Sequence, residues 1–148
     1  MTPLTDAELI RRLLLAAVLG GVVGAERELR GKSAGFRTNI LITMGCALFT
    51  ISSIMLAGSD AERTRIAAQI VTGIGFLGAG AIVRTRGSIH GMTTAATIWV
   101  NAALGVAAGG GEYRLAISAA AITLIVLLVL GPLEASIDRR FGRDNHER

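Results

Sequence analysis

Two carboxylates and three neutral oxygen donors are the residues in this chain that could do chemistry. Glu26 and Glu28 stand two apart in the run Glu-Arg-Glu-Leu-Arg, and Asn39, Thr94 and Asn101 lie at or inside the apolar segments that follow. Carboxylate, carboxamide and hydroxyl oxygens are hard ligands of the kind that magnesium accepts, usually with several waters retained. The same neighbourhood carries Arg27, Arg37 and Arg84. These would instead neutralise both carboxylates in an ion-pair network, and the charge balance favours that arrangement over a cation held by Glu26 and Glu28. In a third arrangement the arginines face an anion or a lipid headgroup. Apart from magnesium, no cofactor is expected. Nothing resembles a nucleophile paired with a base: there is no His-Asp-Ser set, no HExxH and no aspartate inside an apolar segment. An enzyme is therefore not expected.

The elements that must position these residues are built for lipid. The segment Ile66–Val83 contains no charged residue, and eighteen residues as a helix span about 27 Å, close to the thickness of a bilayer's hydrocarbon. Across 148 residues the charged fraction is 18% against 51% hydrophobic, whereas soluble domains carry about 25% charge. The net charge of +4 sits at the ends of apolar runs with few aromatics, which fits a membrane surface better than nucleic acid. Cys46, the lone cysteine, lies in an apolar run and reads as a small buried hydrophobe.

Five transmembrane helices are expected, an all-α integral membrane bundle over residues 1–133. They run from Leu9 to Ala25, Thr38 to Ala57, Ile66 to Val83, Met92 to Ala108 and Leu115 to Leu130. Thr5 with Glu8, and Ser59 with Glu62, match capping boxes. Arg11 and Arg12 would snorkel to the interface. Glu26 to Arg37 reads as a charged connection, Arg84 to Gly91 as a basic turn, Gly109 to Gly111 as a reversal, and Gly131-Pro132 as a helix stop. Residues 134–148 form a basic cytoplasmic tail. One side of the bundle then holds ten Lys and Arg and the other five. The excess puts the N-terminus outside and the C-terminus inside.

Glycines carry the second message. Gly73 to Gly78 matches GxGxxG, but no acidic residue follows where a dinucleotide fold needs one. Close packing in lipid explains the pattern better. Gly20 and Gly24 on the first helix, with Gly73, Gly75, Gly78 and Gly80 on the third, are expected to let backbones touch. The third helix should then be central, and the fifth should face lipid. Thr94, Thr97, Asn101 and Gly105 form a polar stripe on the fourth helix. Its hydroxyls and amides read as interhelical hydrogen bonds, with a polar cavity or ion path as the alternative.

Several blocks together resemble the MgtC/SapB family: Glu26-Arg27-Glu28, Gly31 to Thr38, Gln69 to Gly80 and Met92 to Trp99. The resemblance covers about Leu13 to Leu130. It implies a multi-pass protein of the bacterial inner membrane, associated with growth at low magnesium and, in pathogens, with survival inside macrophages. It also implies a regulatory role through membrane partners such as the ATP synthase. Longer members carry an ACT-like domain after five helices, and this chain resembles the short form. The expected function is thus a regulatory or interaction protein supporting magnesium homeostasis. It would dock its small-residue helices against a partner or a second copy, as a homo-oligomer such as a dimer in the lipid bilayer. The alternative is a magnesium or other cation transporter or channel.

Overall fold

The computed structural model describes residues 4–85 and 88–133, so the basic tail and Arg86 lie outside the described residues. The chain is mostly helical. Helix α1 spans Asp6–Leu29, α2 Phe36–Leu56, α3 Asp60–Gly80 and α4 Met92–Gly110. The fifth, α5, begins at Tyr113–Ile125 and continues through a π-helical turn, Val126–Leu130, to Leu133. The expectation of an all-α chain needs one correction. Between α3 and α4 lies a two-stranded antiparallel hairpin, β1 (Val83–Thr85) and β2 (Ser88–His90), with Arg84 opposite Ile89. Val83, Thr85 and Ile89 are β-branched, which suits strands, and Gly91 closes the hairpin at φ 86°. A Cβ there would also run into the carbonyl of Ala81, so the hairpin's exit onto α4 requires glycine.

Local signals set the helix ends. Thr5 Oγ1 accepts from the Glu8 N–H at 3.3 Å, but the Glu8 carboxylate does not reach back, so the expected capping box is one-sided. Ser59 makes no side-chain cap at all. Helix α1 runs past Ala25 to Leu29, so Glu26, Arg27 and Glu28 are helical, not part of a loop. Glu26 and Arg30 are spaced i, i+4, which favours the extra turn. Gly131-Pro132 does not stop α5. Proline has no N–H to return to the carbonyl of Leu128, and the Arg30 guanidinium reaches that carbonyl at 3.4 Å.

Helix α2 sits in the middle, packed most closely against α1 and α4. One apolar cluster joins α1, α4 and α5, with Ala47 of α2, around Leu104, Val23 and Ala108; another joins α2, α3 and α4 around Ile42, Ile74 and Ile98. Both clusters rely on alanine, so the helices approach closely. Lipid gives no hydrophobic drive for helices to associate, and such contact supplies the attraction instead. The glycines at these contacts are Gly20, Gly24, Gly105 and Gly109. A Cβ on Gly20 would lie 2.6 Å from the Asn39 carbonyl oxygen, on Gly24 2.9 Å from Phe36 Cα, and on Gly109 2.6 Å from the Ala47 carbonyl oxygen.

The expected place of the third helix is overturned. A Cβ added at Gly73, Gly75 or Gly80 would find nothing within 4 Å, and one at Gly78 would only meet the Ala95 carbonyl at 3.7 Å. Phe76 is 82% exposed. Helix α3 lies at the edge of the bundle, held mainly along α4. Gly73, Gly75 and Gly80 make room within the chain that no other element of the chain uses, while Gly78 is buried against Ala95 of α4. Three helices among the described residues are long and apolar enough to cross a membrane: α2, α4 and α5 through Leu133. Helix α1 carries Arg11, Arg12 and Glu26 near its ends, and α3 is diluted by glycine and Gln69. Helix α5 is exposed over most of its surface.

Candidate functional site

The last turn of α1 places Glu26 inside the bundle and Glu28 on its surface, because residues two apart in a helix point to nearly opposite sides. Glu26 is only 7% exposed and Arg27 3%. Arg27 meets both carboxylate oxygens, Nε to Oε2 at 2.5 Å and Nη2 to Oε1 at 2.8 Å. Arg30 adds a contact, Nε to Oε1, at 2.7 Å. Both oxygens of Glu26 are thus engaged by guanidinium groups, and the cluster carries one net positive charge. Glu28 does different work: its Oε2 accepts the Phe36 N–H at 3.0 Å. Gly35, the residue before α2, has no side chain to cap that helix, and the carboxylate of Glu28 supplies the cap from α1.

The two carboxylates, weighed as magnesium ligands in the less favoured arrangement, are held apart by different duties. Among the described residues no group of three or more His, Cys, Asp or Glu is placed to hold a metal. Arg37 is exposed beside the α2 N-terminus and Arg84 is exposed on β1, so neither joins Glu26. The ion-pair network exists, but Arg27 and Arg30 build it.

One turn further into the bundle lies a second polar layer. Asn39 and Asn101 are fully buried. The Asn101 amide donates to Asn39 Oδ1. The Asn39 amide donates to the carbonyls of Ala34 at 2.6 Å and Gly35 at 2.8 Å. Asn39 therefore fastens the loop before its own helix while gripping α4. Thr43 and Thr97 are also buried, and each returns its hydroxyl to its own backbone, on Asn39 O at 2.7 Å and Thr93 O at 2.8 Å. Thr94 is buried on the first turn of α4. Asn101 Oδ1 is the buried side-chain atom without a partner among the described residues. Of the expected polar site, the structure joins Asn39 to Asn101. It buries Glu26 and Thr94 without a side-chain hydrogen bond to that pair among the described residues, and leaves Glu28, Arg37 and Arg84 outside.

At the opposite end sits a cluster that sequence reasoning missed. Arg12, expected to reach for the interface, is tied at this end of the bundle: its Nε donates to Glu8 Oε1 at 3.0 Å and its Nη1 to the carbonyl of Gly109 at 2.7 Å. The Tyr113 hydroxyl donates to the same Glu8 oxygen, and Arg11 lies over the Tyr113 ring, 4.2 Å from its centre. The Tyr113 hydrogen bond first, then Arg12, hold the Glu8 carboxyl below its usual range. The clasp ties the start of α1 to the α4–α5 turn. The Glu8/Arg12 spacing of i, i+4 was its only sequence signal.

Two cavities flank the layers. A cleft of about 660 Å³ between α2 and α3 is lined by apolar side chains with Gly45, Gly73 and Gln69. A polar pocket of about 640 Å³ is lined by Glu28, Ser33, Gly35, Phe36, Arg37 and Thr38.

Membrane-length apolar helices, buried amides paired across them and charges gathered at the ends define a helical membrane protein. The comparisons with known proteins give the particular group. The MgtC family model matches residues 13–136, and the chain belongs to the MgtC family. It is 49% identical to the putative magnesium transporter YhiD of Escherichia coli K12, over 86% of this chain and 62% of that protein. It is 46% identical to protein MgtC of Salmonella typhimurium LT2, over 82% of this chain and 52% of that protein. An uncharacterised Synechocystis protein, slr0014, is 42% identical over 90% of this chain and 56% of its own length. The chain thus spans between half and two thirds of the relatives it matches. No solved structure gives a significant match.

Proposed function

We propose that the protein is a multi-pass regulator of the bacterial inner membrane that supports magnesium homeostasis by docking against membrane partners. It carries five spans with the N-terminus outside and the C-terminus inside. The observation that supports this reading best is the outer face of α3. Ala68, Thr72, Gly75 and Ala79 recur along it at helical spacing and are exposed, and Gly75 has open space around it. A backbone bared in this way accepts another helix at close range. The occupant is a second copy or a larger membrane enzyme such as the ATP synthase. The magnesium connection comes from the relatives' names. The chain works through contacts and not through bond chemistry.

A test compares Gly75→Phe with wild type by crosslinking and affinity capture from intact membranes. Docking predicts loss of the oligomer or partner band with the monomer still folded. An unchanged band overturns the role of this face. A second reading, a cation path, is favoured by the unpartnered Asn101 Oδ1 and by the transporter name of one relative. Magnesium flux into liposomes carrying the purified chain, abolished by Asn101→Leu, would establish that reading in place of the first.

A further inference from the structure

The two cavities share a wall. Thr38 lines both the apolar cleft and the polar pocket, so the two adjoin at the first turn of α2 and together make an amphipathic trough. The cleft runs along α2 from Thr38 to Phe49 and along α3 from Leu77 back to Ile66. Eleven residues of helix rise about 16 Å, half of a hydrocarbon core of about 30 Å. The trough therefore begins at a membrane surface and ends near the midplane, the depth of one leaflet. Its floor is opened by Gly45 and Gly73, neither of which has a neighbour within 4 Å of a Cβ position.

The polar end discriminates between amphiphiles. Arg37 stands exposed at its mouth, and guanidinium groups pair with phosphate through two parallel hydrogen bonds. Glu28 lines the same pocket with one oxygen engaged on Phe36 N–H. A headgroup bearing phosphate alone would face that carboxylate unfavourably. A headgroup with a phosphate and a primary ammonium satisfies both. We propose that this trough is a binding site for one glycerophospholipid of the phosphatidylethanolamine type. Its phosphate rests on Arg37, its ammonium on Glu28, and an acyl chain fills the cleft between α2 and α3. A cleft of this size open to lipid is filled by acyl chains rather than left as a void.

The test is native mass spectrometry of the full chain released from vesicles of equal phosphatidylethanolamine and phosphatidylglycerol. One phosphatidylethanolamine is expected to stay with each protomer. Arg37→Gln should lower retention about tenfold, the effect of one hydrogen bond to a charged group. Glu28→Gln keeps an oxygen for Phe36 N–H and should erase the preference between the two lipids. Gly73→Leu fills open space, so the helix is retained while the lipid is lost. Retention unchanged by Arg37→Gln and Gly73→Leu overturns the site. Preference for phosphatidylglycerol overturns the role of Glu28 and with it the proposed headgroup. Efficient disulfide dimers of Gly73→Cys in a Cys46→Ala background, formed in the membrane, would show a second copy in the cleft and also overturn the proposal.

Discussion

Adding one methyl group at different glycines should separate packed helices from bare ones. At Gly109 a Cβ would meet the Ala47 carbonyl oxygen at 2.6 Å, Ala47 Cα at 2.8 Å and Thr50 Cβ at 2.9 Å. The first is about 0.8 Å short of ordinary contact, and two of the three atoms are backbone that cannot rotate away. Helices α2 and α4 must then part, and overpacking of this kind costs about 1–3 kcal/mol. At Gly73 and Gly75 the same methyl meets nothing. Alanine also improves helix propensity by about 1 kcal/mol over glycine in a helix interior, a gain that Gly73 and Gly75 receive in full and Gly109, in the last turn of α4, only in part. The contrast between Gly109→Ala and Gly73→Ala or Gly75→Ala should therefore be at least the overpacking cost, about 5- to 150-fold in the unfolding equilibrium at 1.4 kcal/mol per tenfold. Gly73→Ala and Gly75→Ala should stabilise the monomer outright. The measurement is reversible unfolding in mixed micelles at a detergent ratio that keeps the chain monomeric, followed by Trp99, the only tryptophan. If the α3 substitutions destabilise as much as Gly109→Ala, the peripheral place of α3 is wrong.

Arg27→Gln should cost about 3 kcal/mol, the low end for a broken buried pair because Arg30 still reaches Glu26. The double variant with Glu26→Gln should recover more than half of that loss in the same unfolding assay. Asn39→Leu should destabilise more than Asn101→Leu, since it frees the carbonyls of Ala34 and Gly35 as well as the Asn101 amide. Truncating Asn101 leaves mainly one acceptor unpaired, about 1–3 kcal/mol, and the reverse ranking would refute the shared bond. The clasp at Glu8 has a pH signature. Its carboxyl titrates below the usual value of 4.5, so its contribution is fully present above that pH and is lost as pH falls through the lower, folded-state value. Unfolding curves of wild type and Glu8→Gln should keep a constant separation at neutral pH and converge only in the acid range. Convergence near pH 7 would contradict the clasp.

Helix number was legible because charges space the apolar runs, and Gly20 and Gly24 were legible because their partner helix follows immediately. Gly105 and Gly109 stand at the same four-residue spacing, yet Gly109 was absorbed into the triple-glycine turn. Only Gly111, at φ 85°, makes that turn. The error over α3 has a physical root. Small residues say that a backbone can be approached, but not by whom, and within the chain α4 covers only the side bearing Ile74 and Gly78. The hairpin at Val83–His90 was hidden because its three-residue strands are too short to show alternation. The polar site was half legible. Residue types marked Asn39 and Asn101, but their pairing depends on how α2 crosses α4. Charge alone placed Arg37 with Glu26, whereas helical continuation gave that post to Arg30.

The buried carboxylate at the end of α1 finds both guanidinium partners within four residues of itself, while the amide bridge from α2 to α4 spans sixty-two. During synthesis the nascent first segment leaves the ribosome with its anion already clothed, and the insertion machinery meets an almost self-sufficient rod. The amide bridge must wait until the fourth segment has been threaded. A translation arrest placed between the two would yield an α1 seated at its final depth with α2 packed along it, and the Asn39 carboxamide oxygen still waiting for its partner on α4.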